Sequence, residues 1–294
     1  MKLQLTSTGK CPACRNESGH RLLYQLHSFN VYECVCGLRF IDPSLDEKSM
    51  TEIYQSSEAL QEINPALGHY YEYETLNPKT KTYRDYSRAL EAVSELRTGR
   101  EILEVGCGRG SFLRVAREQG WKVYGIDSGR ENIQALQAEG IDAICSSYLG
   151  FATEQRFDVI VLWDLIEHPQ NPGAFLEKTR ELLNPGGLLL IASPQEPNFL
   201  TILGSWIYRL SGGRVKSPLA QFFVMEHTSY FSLQSMKRFL ASRGFQVLKK
   251  WKTETDLNRY KMSPFVKLCL RVAFQMARIL KLENRMIVIA RKQD

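Results

Sequence analysis

The stretch Glu101-Ile-Leu-Glu-Val-Gly-Cys-Gly-Arg-Gly110 decides the fold. Its first half reads as an apolar strand. Its second half is a turn with glycines spaced G-x-G-x-G, and Ser111 to Gln119 then reads as a helix closed by Gly120. Glycines here let the backbone turn tightly and approach a ligand at the carboxyl edge of a sheet. Working outward, Lys122 to Ile126 is a second strand ending in Asp127, and Glu131 to Glu139 is a second helix. Ile141 to Ile144 is a third strand, Phe157 to Leu162 a fourth, Asn171 to Leu183 a helix and Leu188 to Ala192 a fifth strand. This alternation predicts an α/β protein with a Rossmann-like, doubly wound, mainly parallel sheet. Strands over Phe245 to Trp251 and Arg285 to Arg291 would complete seven strands with an antiparallel end.

Two acids stand at the edge where such folds bind ligands. Asp127 can accept both hydroxyls of an adenosine ribose, and Glu104 lies two residues before Gly106. The glycines alone suit a dinucleotide, but a pyrophosphate would be repelled by the Glu104 carboxylate. A cationic sulfonium with an amino-acid tail would be attracted. Cys107, between glycines, reads as a small residue in a tight turn rather than a nucleophile.

Four of the seven cysteines fall in two close pairs, Cys11-Pro-Ala-Cys14 and Cys34-Val-Cys36. Two short strands between them, Arg21 to Leu26 and Phe29 to Cys34, predict a zinc ribbon. Four thiolates leave no open position, so the zinc would be structural. His20 and His27 are alternative ligands but read as surface histidines. The second pair is tightened to C-x-C, and Gly37 lets that turn aim N–H groups at a thiolate.

The chain has 294 residues and a net charge of +6, yet Phe245 to Asp294 carries +8 and residues 1–244 carry −2. A uniformly basic nucleic-acid binder is therefore excluded, and nucleic acid is not an expected partner. With no long apolar run and a polar N-terminus, the expected location is cytoplasmic. Asp46 to Leu60 and Lys79 to Leu96 read as helices, and the aromatic cluster His69-Tyr-Tyr-Glu-Tyr73 reads as a lid. The predicted organisation is a zinc-ribbon-like domain (1–45), a helical linker and lid (46–98), and a catalytic domain (99–294) with helical inserts at 197–226 and 262–283.

Four ordered segments resemble the class I S-adenosylmethionine-dependent methyltransferases. They are Glu104 to Gly110, Tyr124-Gly-Ile-Asp127, Phe157 to His168, and Leu183-Asn-Pro-Gly-Gly-Leu-Leu-Leu-Ile191. The resemblance implies that Glu104, Gly106 and Gly108 line the methionine end of the cofactor, with Gly110 completing the turn. It implies that Asp127 holds the ribose, and that Trp163 and Asp164 sit near the transferred methyl. The acid common after the third strand is replaced by Cys145-Ser-Ser147.

Glu167-His168 resembles the branch containing ubiquinone-biosynthesis O-methyltransferases and methyltransferases of polysaccharide and natural-product pathways. His168 is a candidate base, or with Glu167 a metal or acceptor contact; alternatively both cap the following helix. Glu226-His227 before Ser229-Tyr-Phe-Ser232 resembles the zinc-containing sugar C-methyltransferases, where such a pair serves acid/base chemistry. Val224 and Met225 depart from that pattern. Ribosomal RNA guanine methyltransferases also carry an N-terminal zinc module, but the −2 charge of residues 1–244 argues against RNA. The expected reaction is O-methylation of a small-molecule, sugar or lipid-linked acceptor, with sugar C-methylation or RNA methylation as alternatives.

Phe199 to Leu210 is apolar around most of its circumference. Phe265 to Leu282 is broadly apolar with one narrow stripe of Lys267, Arg271, Gln275, Arg278 and Lys281. The stripe fits a helix buried against the first segment, a homodimer contact, or peripheral membrane contact through 264–282.

Overall fold

The computed structural model describes residues 4–54, 77–97 and 99–293. The aromatic cluster at His69 to Tyr73 lies outside them, as does the end of the helix expected over Asp46 to Leu60.

The chain opens with strand β1 (Leu5–Thr6) and the ribbon strands β2 (His20–Gln25), β3 (Asn30–Cys34) and β4 (Arg39–Asp42). Strand β5 (Ser44–Leu45) pairs with β1, and helix α1 (Glu47–Ile53) follows. Helix α2 (Lys81–Ser94) buries Tyr86, Ala89, Leu90 and Val93, an i, i+3, i+4, i+7 stripe, and the Thr80 hydroxyl accepts from the Tyr83 N–H at its start. The sheet strands are β6 (Glu101–Val105), β7 (Lys122–Asp127), β8 (Asp142–Cys145), β9 (Phe157–Trp163) and β10 (Leu183–Pro194). Between them run α3 (Ser111–Glu118), α4 (Arg130–Ala138) and α5 (Pro172–Leu182). Helices α6 (Phe199–Leu210) and α7 (Ser217–Ala220), strand β11 (Ser229–Tyr230) and helix α8 (Leu233–Ala241) lead to strand β12 (Phe245–Thr253). Helix α9 (Pro264–Ile279) and strand β13 (Arg285–Lys292) end the described chain.

The seven-stranded sheet has the order β12-β13-β10-β9-β6-β7-β8. All pairs from β10 to β8 are parallel, and β13 alone runs against its neighbours. Every residue of β9 is buried, as expected of a central parallel strand covered on both faces. Edge strand β8 buries only Ala143. The expected sheet is thus present, with boundaries shifted by a residue or a few. Strand β10 starts earlier than expected because Leu183 already pairs with Phe157 before an irregularity over Pro185-Gly186-Gly187.

The ribbon is not a separate bead. Strand β11, just after His227, pairs antiparallel with β4, so the second sheet runs β11-β4-β3-β2. Cys11, Leu38 and Phe40 share one apolar cluster with Ile166, Phe231 and Met236. Arg39 ties the two parts electrostatically, reaching Glu33 at 3.3 Å and the buried Glu196 at 2.5 Å.

The four thiols converge, Cys11 Sγ to Cys36 Sγ at 3.7 Å and Cys14 Sγ to Cys34 Sγ at 3.5 Å, with all four within 4.8 Å of one another. A zinc tetrahedron with bonds of about 2.3 Å has edges of about 3.8 Å, so the donor set fits zinc. Among these thiols the proton sits unevenly. The bond to Cys36 and burial push Cys11 far up, and the Cys11 thiol brings Cys36 down to about 5. The Gly37 N–H closes the second knuckle on the Cys34 carbonyl at 2.8 Å, at a φ of 87° that favours glycine. His20 is engaged elsewhere, its Nε2 3.0 Å from the Asn16 carbonyl.

Metal analysis should find one zinc per chain. Cys34→Ser should lose it and lower the melting temperature by about 5 °C or more, because the ribbon shares the main core. An unchanged melt would show that the thiols contribute no metal-dependent stability.

Candidate active site

The carboxyl ends of β6, β7 and β9 meet at one edge, and each contributes an acid there. Glu104, on β6, is only 4% exposed, and its Oε2 has no partner among the described residues. Burial, then the charges of Asp127 and Asp164, push its carboxyl well above the usual range. A buried carboxylate oxygen without a partner suits a cationic ligand group, which would restore the ionised form.

Asp127 ends β7 and is held by backbone. The Gly108 N–H donates to Oδ2 (2.9 Å) and the Gly129 N–H donates to Oδ1 (2.7 Å). Burial raises its pKa, and these two bonds oppose the rise. Each oxygen keeps acceptor capacity for a vicinal diol. Gly106, Gly108 and Gly110 all adopt positive φ. They differ in surroundings: an added Cβ on Gly110 would lie 2.4 Å from Leu136 Cδ2, while one on Gly108 would meet nothing within 4 Å. Gly110 is therefore required by packing of the turn, and Gly108 faces the open side.

Beyond β9 the chain bends sharply. Asp164 takes φ 53°, a left-handed conformation that non-glycine residues adopt at a cost. Its carboxylate accepts from Arg285 and lies 3.6 Å from Arg259. Burial opposes the charge, but Arg285 and Arg259 win, and Asp164 stays below the ordinary carboxylate range. Neither arginine was singled out from sequence. Both come from the C-terminal part, where no local motif marks them. Trp163 packs edge-on to Tyr86 at 4.6 Å and tilted on Phe112 at 5.7 Å, so its ring belongs to the wall.

The two Glu-His pairs converge. The Glu167 carbonyl accepts the N–H groups of Thr228 (2.9 Å) and Ser229 (3.0 Å), clamping the second loop onto the first. The imidazoles of His168 and His227 meet edge-on with centroids 4.7 Å apart. His168 Nδ1 lies 2.7 Å from the Glu226 carbonyl and 3.2 Å from the Tyr54 hydroxyl. A carbonyl only accepts, so Nδ1 carries the proton and Nε2 carries the lone pair. The structure thus uses the backbone of Glu226 here, while its side chain is 2% exposed. Burial lowers His168, and burial followed by the neighbouring His168 lowers His227 still further. Glu167 is 1% exposed, with Ser193 Oγ donating to Oε2 at 3.0 Å. Burial and the Asp164 charge raise it to about 8. Ligand atoms of Glu167, His168 and His227 lie within 4.8 Å of one another, so this trio could also hold a divalent cation. Tyr54 and Ser193 were missed in sequence because each reaches the site from a distant segment.

A family model described as a methyltransferase domain matches residues 79–250, and the chain belongs to that family. Among curated relatives, the ubiquinone biosynthesis O-methyltransferase of Bradyrhizobium sp. (strain ORS 278) is 31% identical over 130 residues, 40% of this chain and 51% of the relative. The enzyme of that name from Psychrobacter arcticus is 28% identical over 131 residues, 38% of this chain and 49% of the relative. The chain thus spans about half the length of the curated relatives it matches. Among solved structures, magnesium protoporphyrin IX methyltransferase from Synechocystis PCC 6803 with bound S-adenosylhomocysteine superposes with TM-score 0.54. Its identity is 13%, covering 84% of this chain and 100% of that one. The 1,6-didemethyltoxoflavin-N1-methyltransferase of Burkholderia thailandensis gives TM-score 0.54 at 15% identity, covering 94% and 100%. At these identities the likeness establishes the fold.

The Glu167 carboxyl yields a pH prediction. Its pKa of about 8 stands above the ordinary 4.5, so the folded state keeps a proton that the unfolded chain releases. The stability this contributes is full below the lower value and is lost as pH rises through the higher one. Glu167→Gln should melt close to wild type at about pH 5 and a few degrees above it at about pH 9. An identical offset at both values would mean that Glu167 is ionised throughout.

Proposed function

We propose that this protein transfers a methyl group from S-adenosylmethionine to an oxygen of a small-molecule acceptor, with His168 Nε2 taking the acceptor's proton. The observation that carries the reading is the position of Asp164, whose charge acts on Glu104 on one side and on Glu167 and His168 on the other. The acids suited to a sulfonium cofactor and the histidine pair are therefore neighbours on either side of Asp164. Family membership and the O-methyltransferase relatives support it.

When bound, S-adenosylmethionine supplies a methyl on a sulfonium that departs as a neutral thioether. Glu104 holds the cationic methionine end and Asp127 holds the ribose diol. The open side of Gly108 admits the cofactor close to the backbone. Asp164, pinned by Arg285 and faced by Arg259, holds the turn after β9 in place while the acceptor reacts. The acceptor oxygen forms its bond to carbon as its proton passes to His168 Nε2, while the Glu226 carbonyl keeps the ring oriented and better supports the imidazolium. Glu167, protonated near neutrality, and His227 line the acceptor side.

Asp127→Ala should weaken cofactor binding by about 10-fold or more, read by calorimetric titration. Unchanged affinity would remove the ribose assignment. His168→Ala should keep cofactor affinity and lose about 100-fold or more in kcat. Because burial lowers the histidine, the wild-type rate should fall only below the ordinary histidine value of about 6.5. An H168A enzyme with normal turnover, or a pH profile unaltered by the substitution, would rule out His168 as the base.

A further inference from the structure

Twelve of the seventeen exposed large hydrophobic residues among the described residues lie in two segments, Leu203 to Val215 and Phe265 to Leu280. On α9, Phe265, Leu268, Val272, Met276 and Ile279 recur at spacings of three and four, so they form one stripe along four turns. That stripe faces solvent: Phe265 and Ile279 are each 73% exposed, and the helix buries only Phe274 and Ala277. On α6, Leu203, Trp206, Ile207 and Leu210 repeat the pattern, with Trp206 64% and Leu210 83% exposed. The two helices pack on each other, so their bare faces belong to one region of the surface. The expectation of burial against α6 therefore holds for one side of α9 only.

Charge says what covers this region. Residues 199–221 and 260–282 hold eight Lys and Arg and no Asp or Glu, and of these Arg278 pairs with the buried Glu254 at 2.6 Å. On α9 the cations Lys267, Arg271 and Arg278 line one flank of the apolar stripe. A second copy meeting this face would set Lys267 and Arg271 against cations of its own, and neither α6 nor α9 carries an acid to relieve them. An anionic lipid surface takes both parts, the apolar stripe into the acyl boundary and the cations into the headgroups. An exposed tryptophan is at home at that boundary. No helix among the described residues is long and apolar enough to cross a membrane, so the contact lies along the surface.

We propose that α6 and α9 form an amphipathic foot that docks this protein on an anionic phospholipid bilayer. The foot adjoins the candidate site, since Arg259, five residues before α9, reaches Asp164 at 3.6 Å. Docking would then place the cleft beside the bilayer, where an acceptor with an apolar tail resides. That extension rests on the methyl-transfer reading; the docking itself does not.

The test is co-sedimentation of the full chain with vesicles of phosphatidylcholine alone or with about one-third phosphatidylglycerol. At about 0.1 M salt the protein should pellet with the anionic vesicles at least about 10-fold more strongly than with the neutral ones, and raising salt to about 1 M should weaken it. Tryptophan emission should shift to the blue on binding, and Trp206→Phe should remove the shift. Leu268→Asp and Ile279→Asp should abolish pelleting with the melting temperature unchanged, because both sites are exposed. Protein left in the supernatant with anionic vesicles overturns the proposal. If sedimentation velocity then shows a dimer that Leu268→Asp dissociates, the face is a self-contact instead. Turnover is not read in any arm, so a failure here leaves the methyl-transfer reading standing.

Discussion

One small hydrogen-bonded clamp underlies the site. The Glu167 carbonyl receives the N–H groups of Thr228 and Ser229, and the next step of the chain pairs with ribbon strand β4. Two loops more than fifty residues apart are thereby fixed against each other, and both histidines are set edge to edge. Because β11 completes the ribbon's sheet, the four-cysteine module braces the histidine loop from behind. The ribbon is thus part of the scaffold of the candidate site. Its four-thiolate knuckles replace apolar core that so short a segment could not build alone.

The same edge of the sheet also concentrates buried charge in a way that needs compensation. Glu104, Asp127, Asp164 and Glu167 share one edge, and four ionised carboxylates there would repel strongly. The chain resolves this unequally. Arg285 and Arg259 keep Asp164 ionised, backbone N–H groups support Asp127, and Glu104 and Glu167 are pushed toward the neutral form. Neighbouring carboxyls in different protonation states can serve different roles. A cationic ligand beside Glu104 would complete the neutralisation, which ties binding to the electrostatics of the fold itself.

Elsewhere the molecule follows the ordinary rule of burying its apolar stripes, as α2 and the fully buried β9 show. Among the described residues the departures concentrate in and just beyond α6 and α9. An apolar surface kept free of acidic residues across two inserted segments costs solubility and gives the fold nothing. It is therefore better understood through what it meets than through what it packs.

Much of this was legible in the chain itself. The glycine spacing, the acids at strand ends and the regular strand-helix alternation are local features whose physics acts within a few residues, so the sheet, the acids at its carboxyl edge and the cysteine pairs could be read directly. The Pro264 start and Ser263 cap of α9 are local in the same sense. Contacts between distant segments could not be read. Nothing near Arg285 or Arg259 announces that they neutralise Asp164, and nothing near Tyr54 announces His168. The tautomer of His168 depends on a carbonyl fifty-eight residues away. The sequence showed that residues 264–282 are apolar with a cationic stripe, but only the tertiary structure decided which face is covered. Burial is a property of the neighbours a helix acquires, and those are chosen by the packing of the whole chain.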